Sequence, residues 1–301
     1  MPDGTPVTDR RSGQVRALVD AVWVASALVA ALEHPGHLGG GPAAEVLAWG
    51  GLAGHTPGGW ALTAEVAAEI ERQAAPVAAS IRSALGQAAA ICARAEPGGW
   101  SRYDESVLLA QGQMSAPGGR AMAGFIRSVP ELTAAFKQHG VFLDIGVGVA
   151  AIACAFCEAV PGARVIGLDV HAPALALARQ AIADKGLETR IQLRLQAVQD
   201  LREVAVADLA HISPPFISPP VLGDGLARLH QALKPGGWLT LSGLTAEGTD
   251  GAIGRWQALN AGGTAITERQ CAGLLRSAGF EPPTRLALPP GAPVVLACRR
   301  P

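Results

Sequence analysis

The sequence predicts an α/β fold, a seven-stranded, mostly parallel sheet with helices on both faces, preceded by a helical, winged-helix-like domain. Three observations carry this. After His139 short apolar runs alternate with helical patterns. Pro-Gly or Gly-Phe turns, at Pro161-Gly162, Pro235-Gly236-Gly237 and Gly279-Phe280, repeatedly separate helix from strand. The chain is 301 residues long, 49% apolar and only 16% charged, enough for a large core or two modest ones.

From the N-terminus, residues 1–13 are polar and read as a loose end. Val15 to Leu32 reads as one long helix, apolar over more than half its surface and so expected to be buried against another chain or domain. His34-Pro35-Gly36 stops it, and Gly39 to Gly41 form a turn. Pro42 opens a short helix, PAAEVLAW. A turn at Pro57-Gly58-Gly59 precedes a strand at Trp60 to Leu62, and Thr63 is placed to cap the next helix. Helix, helix and hairpin outline a winged-helix-like dimerisation domain over 14–95, its last part being alanine-rich helix broken at Pro76. Residues 96–139, opened by Pro97-Gly98-Gly99 and broken at Pro117 and Pro130, form a helical bridge expected to lie over a cleft. Residues 140–301 form the sheet domain. Its strands are expected near 141–145, 164–169, 190–195, 203–208, 238–243, 284–289 and 293–299, with helices near 149–159, 173–185, 219–233 and 267–279. A closing hairpin through Pro289-Pro290-Gly291 puts an antiparallel strand at one edge.

The totals exclude several classes. The net charge is -1 without a basic run, and PAAEVLAW, in the place of a recognition helix, has no lysine or arginine. Contacts to phosphates and bases need such donors, so no nucleic-acid partner is expected. Leu18 to Leu32, interrupted by Asp20, is too short and broken for a membrane span, and a cytoplasmic location is expected. The five cysteines are widely spaced. The Cys154-x-x-Cys157 pair lies in the apolar run AIACAFCEAV and reads as core, not as a redox or metal motif.

The informative segment is VFLDIGVGVAAIACAF, residues 141–156. An apolar strand ends in Asp144, Gly146 and Gly148 follow, and a helix begins. Glycines let the backbone turn sharply against a ligand. A second strand, ARVIGLDV, ends in Asp169, 25 residues after Asp144. A carboxylate at that strand tip can accept hydrogen bonds from ribose hydroxyls. Asp144 separates two readings. It would repel a pyrophosphate, yet it suits the cationic amino group of a methionine moiety, directly or through water.

The D-x-G-x-G pattern resembles the class I S-adenosylmethionine-dependent methyltransferases, of Rossmann-like fold, over roughly residues 140–300. The N-terminal half is similar to the dimerisation domain of two-domain O-methyltransferases. In that resemblance Ala150 stands where a further glycine is usual. It implies S-adenosyl-L-methionine as cofactor, held by Asp144, Gly146, Gly148 and Asp169, with Val170 and His171 flanking the adenine. Ala197, Val198 and Gln199 form the adenine rim after the third strand. Asp208 and the run to Pro215 match the motif beside the transferred methyl, where Ser213-Pro214-Pro215-Phe216 replaces the Asn/Asp-Pro-Pro-Tyr/Phe of amino-methyltransferases.

The acceptor is expected to be a small organic molecule, with oxygen the acceptor atom, and the assembly a homodimer. His211, placed just past the fourth strand, is the candidate base, since an imidazole titrates near neutrality. Tyr103, Arg120, Phe216 and Trp256 are candidate acceptor contacts. No metal is expected, the weak alternative being a cation held by Asp200 and Asp208. Two other readings stay open: a non-catalytic S-adenosylmethionine-binding protein, and an NAD(P)-dependent oxidoreductase, for which no Y-x-x-x-K motif is present.

Overall fold

The computed structural model describes residues 7–38, 41–73, 76–93, 99–288 and 294–301. The chain divides into two compact units, residues 1–85 and 86–301. The division falls inside a helix rather than at 95, and the bridge 96–139 belongs to the second unit.

In the first unit, α1 (Val7–Glu33) is followed by α2 (Pro42–Trp49). A hairpin of β1 (Ala53–Thr56) and β2 (Gly59–Leu62) comes next, then α3 (Ala64–Arg72) and the start of α4 (Val77–Cys92). Helix α1 is longer than the sequence pattern suggested, because polar residues 7–13 continue it rather than forming a loose end. Its stretch Gln14–Glu33 is long and apolar enough to cross a membrane by length and composition, which corrects the expectation that it is too short. Thr63 accepts from the Val66 N–H and caps α3 as expected. The small core joins Ala27, Leu28 and Ala31 of α1 to Leu47 and Ala53. The turn at Gly39 and Gly40 lies outside the described residues.

The second unit begins with three helices, α5 (Glu105–Ser115), α6 (Pro117–Ser128) and α7 (Pro130–Lys137), broken at the two expected prolines. Strands and helices then alternate: β3 (Val141–Ile145), α8 (Ala151–Ala159), β4 (Arg164–Asp169), α9 (Ala172–Asp184) and β5 (Ile191–Leu195). They continue through β6 (Ala207–Ile212), α10 (Pro219–Ala232), β7 (Leu233–Leu241), α11 (Ala252–Asn260) and α12 (Glu268–Ser277). The chain closes with β8 (Thr284–Arg285) and β9 (Leu296–Arg299). The seven strands take the order β5-β4-β3-β6-β7-β9-β8, parallel through β7 and antiparallel at β9 and β8.

Two strand positions differ from expectation. β6 starts four residues later than 203, since Ala205 takes a left-handed turn (φ 53°) and the run ADLAHI is buried throughout. β7 starts at Leu233, before the Pro-Gly-Gly turn that was read as leading into it. Helix α11 was missed, its apolar periodicity being interrupted by Gly254 and Gln257. The closing turn at 289–291 lies outside the described residues.

Each central strand is buried on both faces, as a parallel sheet covered by helices requires. One face packs Met122, Ile126, Phe136 and Phe156 against Phe142. The other packs Leu222, Leu226 and Leu229 of α10 against Leu143 and Ile145. Of the bridge helices, α6 covers a sheet face through α8, while α5 packs through Gly112 on Val149 beside the glycine loop. Helix α6 reaches α8 because position 119 lacks a side chain: a Cβ on Gly119 would stand 2.4 Å from the Ile152 carbonyl oxygen and 2.7 Å from the Phe156 nitrogen. Gly119→Ala is expected to cost about 1–3 kcal/mol through overpacking, read as a Tm lower by roughly 3–10 °C. An unchanged Tm in a calorimetric scan would contradict this contact.

Candidate functional site at the tips of the parallel strands

β3 is the strand from which the chain winds outward in both directions, to β4 on one side and to β6 on the other. At such a switch point the loops at the strands' carboxyl ends part and leave a crevice. The sequence places Asp144, Gly146 and Gly148 at this point. Gly146 and Gly148 both take left-handed conformations, φ 72° and 55°. A Cβ on Gly146 would meet nothing within 4 Å, so the backbone there borders open space. Ala150 caps α8 with φ 61°, the conformation a glycine would adopt freely. The turn is thus kept in shape rather than narrowed, at a strain of roughly 1–2 kcal/mol.

Asp169 locks the loop. Its two carboxylate oxygens accept from the backbone N–H groups of Gly148 and His171, each at 2.8 Å. Each oxygen keeps a further lone pair for a ligand hydroxyl. Asp144 is buried, and one of its oxygens, Oδ2, has no hydrogen-bond partner among the described residues. Desolvation, reinforced by the nearby charge of Asp169, pushes its carboxyl up to about 7. His171 Nδ1, Gln199 Oε1 and the Tyr103 hydroxyl are likewise buried without partners. Buried polar atoms are normally satisfied, so unpaired ones call for a ligand or water.

Ala197 is half-buried and Val170 exposed at this end. Val198 is a correction. Its side chain belongs to the core, and a Cβ on Gly225 of α10 would stand 2.7 Å from it, so it faces away from an adenine. Asp208 is a second correction. It lies at the start of β6, accepts from the Val141 N–H and pairs with Lys234 at 2.8 Å. Four residues at roughly 3.3 Å each set it about 13 Å from the end of the strand at Ile212, on the edge opposite the glycine loop. Asp200 follows β5 at the other edge, so these two carboxylates do not share a site. Among the described residues no group of three His, Cys, Asp or Glu side chains could hold a metal ion. Cys154 and Cys157 are buried core residues whose thiols burial pushes up to about 11.

His211 sits inside β6, not past it, in register with Asp144 on β3 and Thr240 on β7. Its Nδ1 lies 3.1 Å from Thr240 Oγ1, and its Nε2 3.3 Å from Ser213 Oγ and 3.2 Å from Ser242 Oγ. Burial pushes the imidazole down to about 4, only partly offset by a hydrogen bond with the Thr240 backbone. The ring is therefore neutral over the physiological range.

A wall of aromatic rings stands beside the same strand tips. Trp100 packs edge-on against Tyr103, with ring centroids 5.0 Å apart, and against Phe216 at 5.3 Å. Trp100 also packs on the cluster of Leu108, Val149 and Ala174 beside the glycine loop. Desolvation raises the Tyr103 phenol, with Arg102 offsetting part of the shift. The 214–216 turn is fixed from beneath, since Thr264 N–H donates to the Pro214 carbonyl and Thr264 Oγ1 to that of Ile217. Trp100 was missed in the sequence because it follows a Pro-Gly-Gly turn with no periodic pattern. Trp256 lies on α11, which packs on this turn, but its ring is 56% exposed. Arg120 is exposed on α6.

Residues 142–237 match the family model described as a methyltransferase domain. That match lies within the second unit and spans β3 to the middle of β7. The whole chain shares its fold with solved structures. An O-methyltransferase family protein from Burkholderia thailandensis is 16% identical, with a TM-score of 0.67 over 99% of both chains. The mitomycin 7-O-methyltransferase MmcR is 20% identical, with a TM-score of 0.64 over 99% of this chain and 100% of its own. Human N-acetylserotonin methyltransferase is 15% identical, with a TM-score of 0.64 over 100% of this chain and 99% of its own.

The polar groups at these strand tips suit S-adenosylmethionine in their chemistry. The open backbone at Gly146 and the unpaired atoms of Asp144, His171 and Gln199 surround one set of strand tips. Asp144 also gives this fit a pH signature. Its folded-state pKa is raised, so ionising it weakens the free protein as pH climbs from about 4 to about 7. Asp144→Asn removes that penalty. The variant without ligand is expected to melt higher than wild type at pH 8, by an amount on the order of 2–4 kcal/mol. The gap should shrink as pH falls through 7 toward 4. Equal melting temperatures at pH 8 would show that Asp144 is not held ionised in a dry site.

Proposed function

We propose that the protein transfers a methyl group from S-adenosyl-L-methionine to an oxygen of a small, planar organic acceptor. The observation that carries this reading is the buried, unpaired Asp144 carboxylate beside the open glycine loop. The cofactor supplies an activated methyl on a positively charged sulfur. Asp144 would hold its ammonium end and Asp169 its ribose, with His171, Ala197 and Gln199 along the adenine and Val170 at its edge. Trp100, Tyr103 and Phe216 would bound a flat acceptor, with Trp256 and Arg120 as outer contacts. Much of the rate then comes from holding the acceptor in line and dry. His211 is the group proposed to take the acceptor's proton.

Calorimetric titration tests the cofactor. Wild type is expected to bind S-adenosylmethionine and S-adenosylhomocysteine at micromolar concentration and not NAD(H). Asp169→Ala should weaken both by roughly 30-fold or more, the loss of one or two charge-assisted hydrogen bonds. Preference for NAD(H) would instead support the oxidoreductase reading. Binding without turnover on a broad panel of phenols would support the non-catalytic one.

The assembly proposed is a cytoplasmic homodimer formed through α1. Val15, Leu18, Val19, Val22 and Trp23 recur at helical spacing and are all 49–70% exposed in the single chain. Such a stripe is what a partner helix covers. Light scattering at micromolar protein is expected to give twice the chain mass of 30.7 kDa. Leu18→Glu with Val22→Glu should halve it. A monomeric wild type, or one that pellets with lipid vesicles, would refute the dimer.

A further inference from the structure

His211 cannot reach an acceptor with a free ring nitrogen, because both of its nitrogens are engaged. Thr240 has one hydroxyl proton, which points to the Ala210 carbonyl at 3.1 Å or to the Met122 sulfur at 3.6 Å. With that proton so directed, its oxygen accepts from His211, the arrangement in which Nδ1 carries the proton and Nε2 a lone pair. Two serine hydroxyls, 2.8 Å from each other, converge on that lone pair. It can take one hydrogen bond at full strength, so one serine donates to Nε2 and the other donates to its neighbour.

We infer that Ser213 and Ser242 form a relay that receives the acceptor's hydroxyl proton and passes it to His211 Nε2. The inference rests on the methyl-transfer reading above and names the residues that complete it. Ser213 follows β6 and Ser242 follows β7. Both are only half-buried, while the histidine beneath them is 4% exposed. They are thus the outermost polar groups of a chain that runs inward from the crevice. Phe216, three residues after Ser213, belongs to the aromatic wall, so a flat acceptor lying on that wall brings its hydroxyl to the serines.

The step balances. The acceptor oxygen gains a bond to the methyl carbon as the carbon–sulfur bond breaks and its electron pair returns to sulfur. The hydroxyl proton moves to the outer serine oxygen, that serine's own proton moves to the inner serine, and the inner serine's proton moves to Nε2. The positive charge lost by sulfur ends on the imidazolium. A ring that binds a proton weakly still suffices. The methylated oxygen, before it sheds its proton, is a far stronger acid than any imidazolium, so the transfer runs downhill once the new bond forms. The low affinity also keeps Nε2 bare beforehand. His211 acts through the serines and is a positioning residue in that sense; the serines are the groups that touch the acceptor.

The test uses the full chain with ring-15N histidine, saturated with S-adenosylhomocysteine, and titrates phenol and 1-naphthol as probes. His211 is assigned by loss of its signals in His211→Gln, or, should that variant fail to fold, as the neutral ring insensitive to pH between 6 and 8. The expected spectrum has a protonated Nδ1 and a bare Nε2, and the probes should move the Nε2 signal. Ser213→Ala and Ser242→Ala should each keep S-adenosylhomocysteine affinity, lose that response and weaken 1-naphthol by about 3–10-fold. An Nε2–H tautomer overturns the relay. So does an Nε2 signal indifferent to both probes in a protein that binds S-adenosylhomocysteine. Failure to bind S-adenosylhomocysteine overturns instead the methyl-transfer reading on which the relay rests.

Discussion

The second unit is organised around one constraint, the burial of a carboxylate at the carboxyl end of its central strand. Asp144 is 2% exposed, flanked on both sides by hydrogen-bonded parallel strands. Such a group is no source of stability, since burial and the neighbouring Asp169 both oppose its ionised form. Its presence makes sense if a cation completes the site. The glycine loop, tethered by Asp169, follows directly after that carboxylate at the switch point.

The same economy of strain recurs nearby. Ala150 occupies a left-handed backbone position with a side chain that does not favour it, and it is fully buried. The buried methyl offsets part of the cost, roughly 0.8 kcal/mol, which explains how the loop keeps its shape without the glycine. His211 shows the complementary device. It is a buried polar ring made tolerable by full hydrogen bonding, and its place in register with Asp144 and Thr240 draws a polar row across three strands. This row lies one residue below the ends of β3, β6 and β7.

The first unit carries a different kind of unfinished surface. Its core is small and uses the second half of α1, while the first half presents an apolar stripe to solvent. Two tryptophans, Trp23 and Trp49, are among the exposed side chains of this unit. Aromatic residues of that kind supply much of the energy of association surfaces.

The sequence alone determined the class of fold, the switch-point glycines and the two strand-end carboxylates. These depend on local grammar: a run of apolar residues, the backbone freedom of glycine and spacing along one strand–helix–strand unit. It also singled out His211 and Phe216 as candidates, because they lie within a few residues of a strand end. The tertiary structure decided the rest. The four-residue displacement of β6 put Asp208 at the amino-terminal end of that central strand and His211 inside it, since register is set by pairing with β3 and not by local hydrophobicity. The Ser213–Ser242–His211 chain joins residues 29 to 31 positions apart, and Trp100 meets Phe216 across more than a hundred. Such contacts have no periodic trace in sequence, because they are made only when separate strand tips and turns close on one crevice.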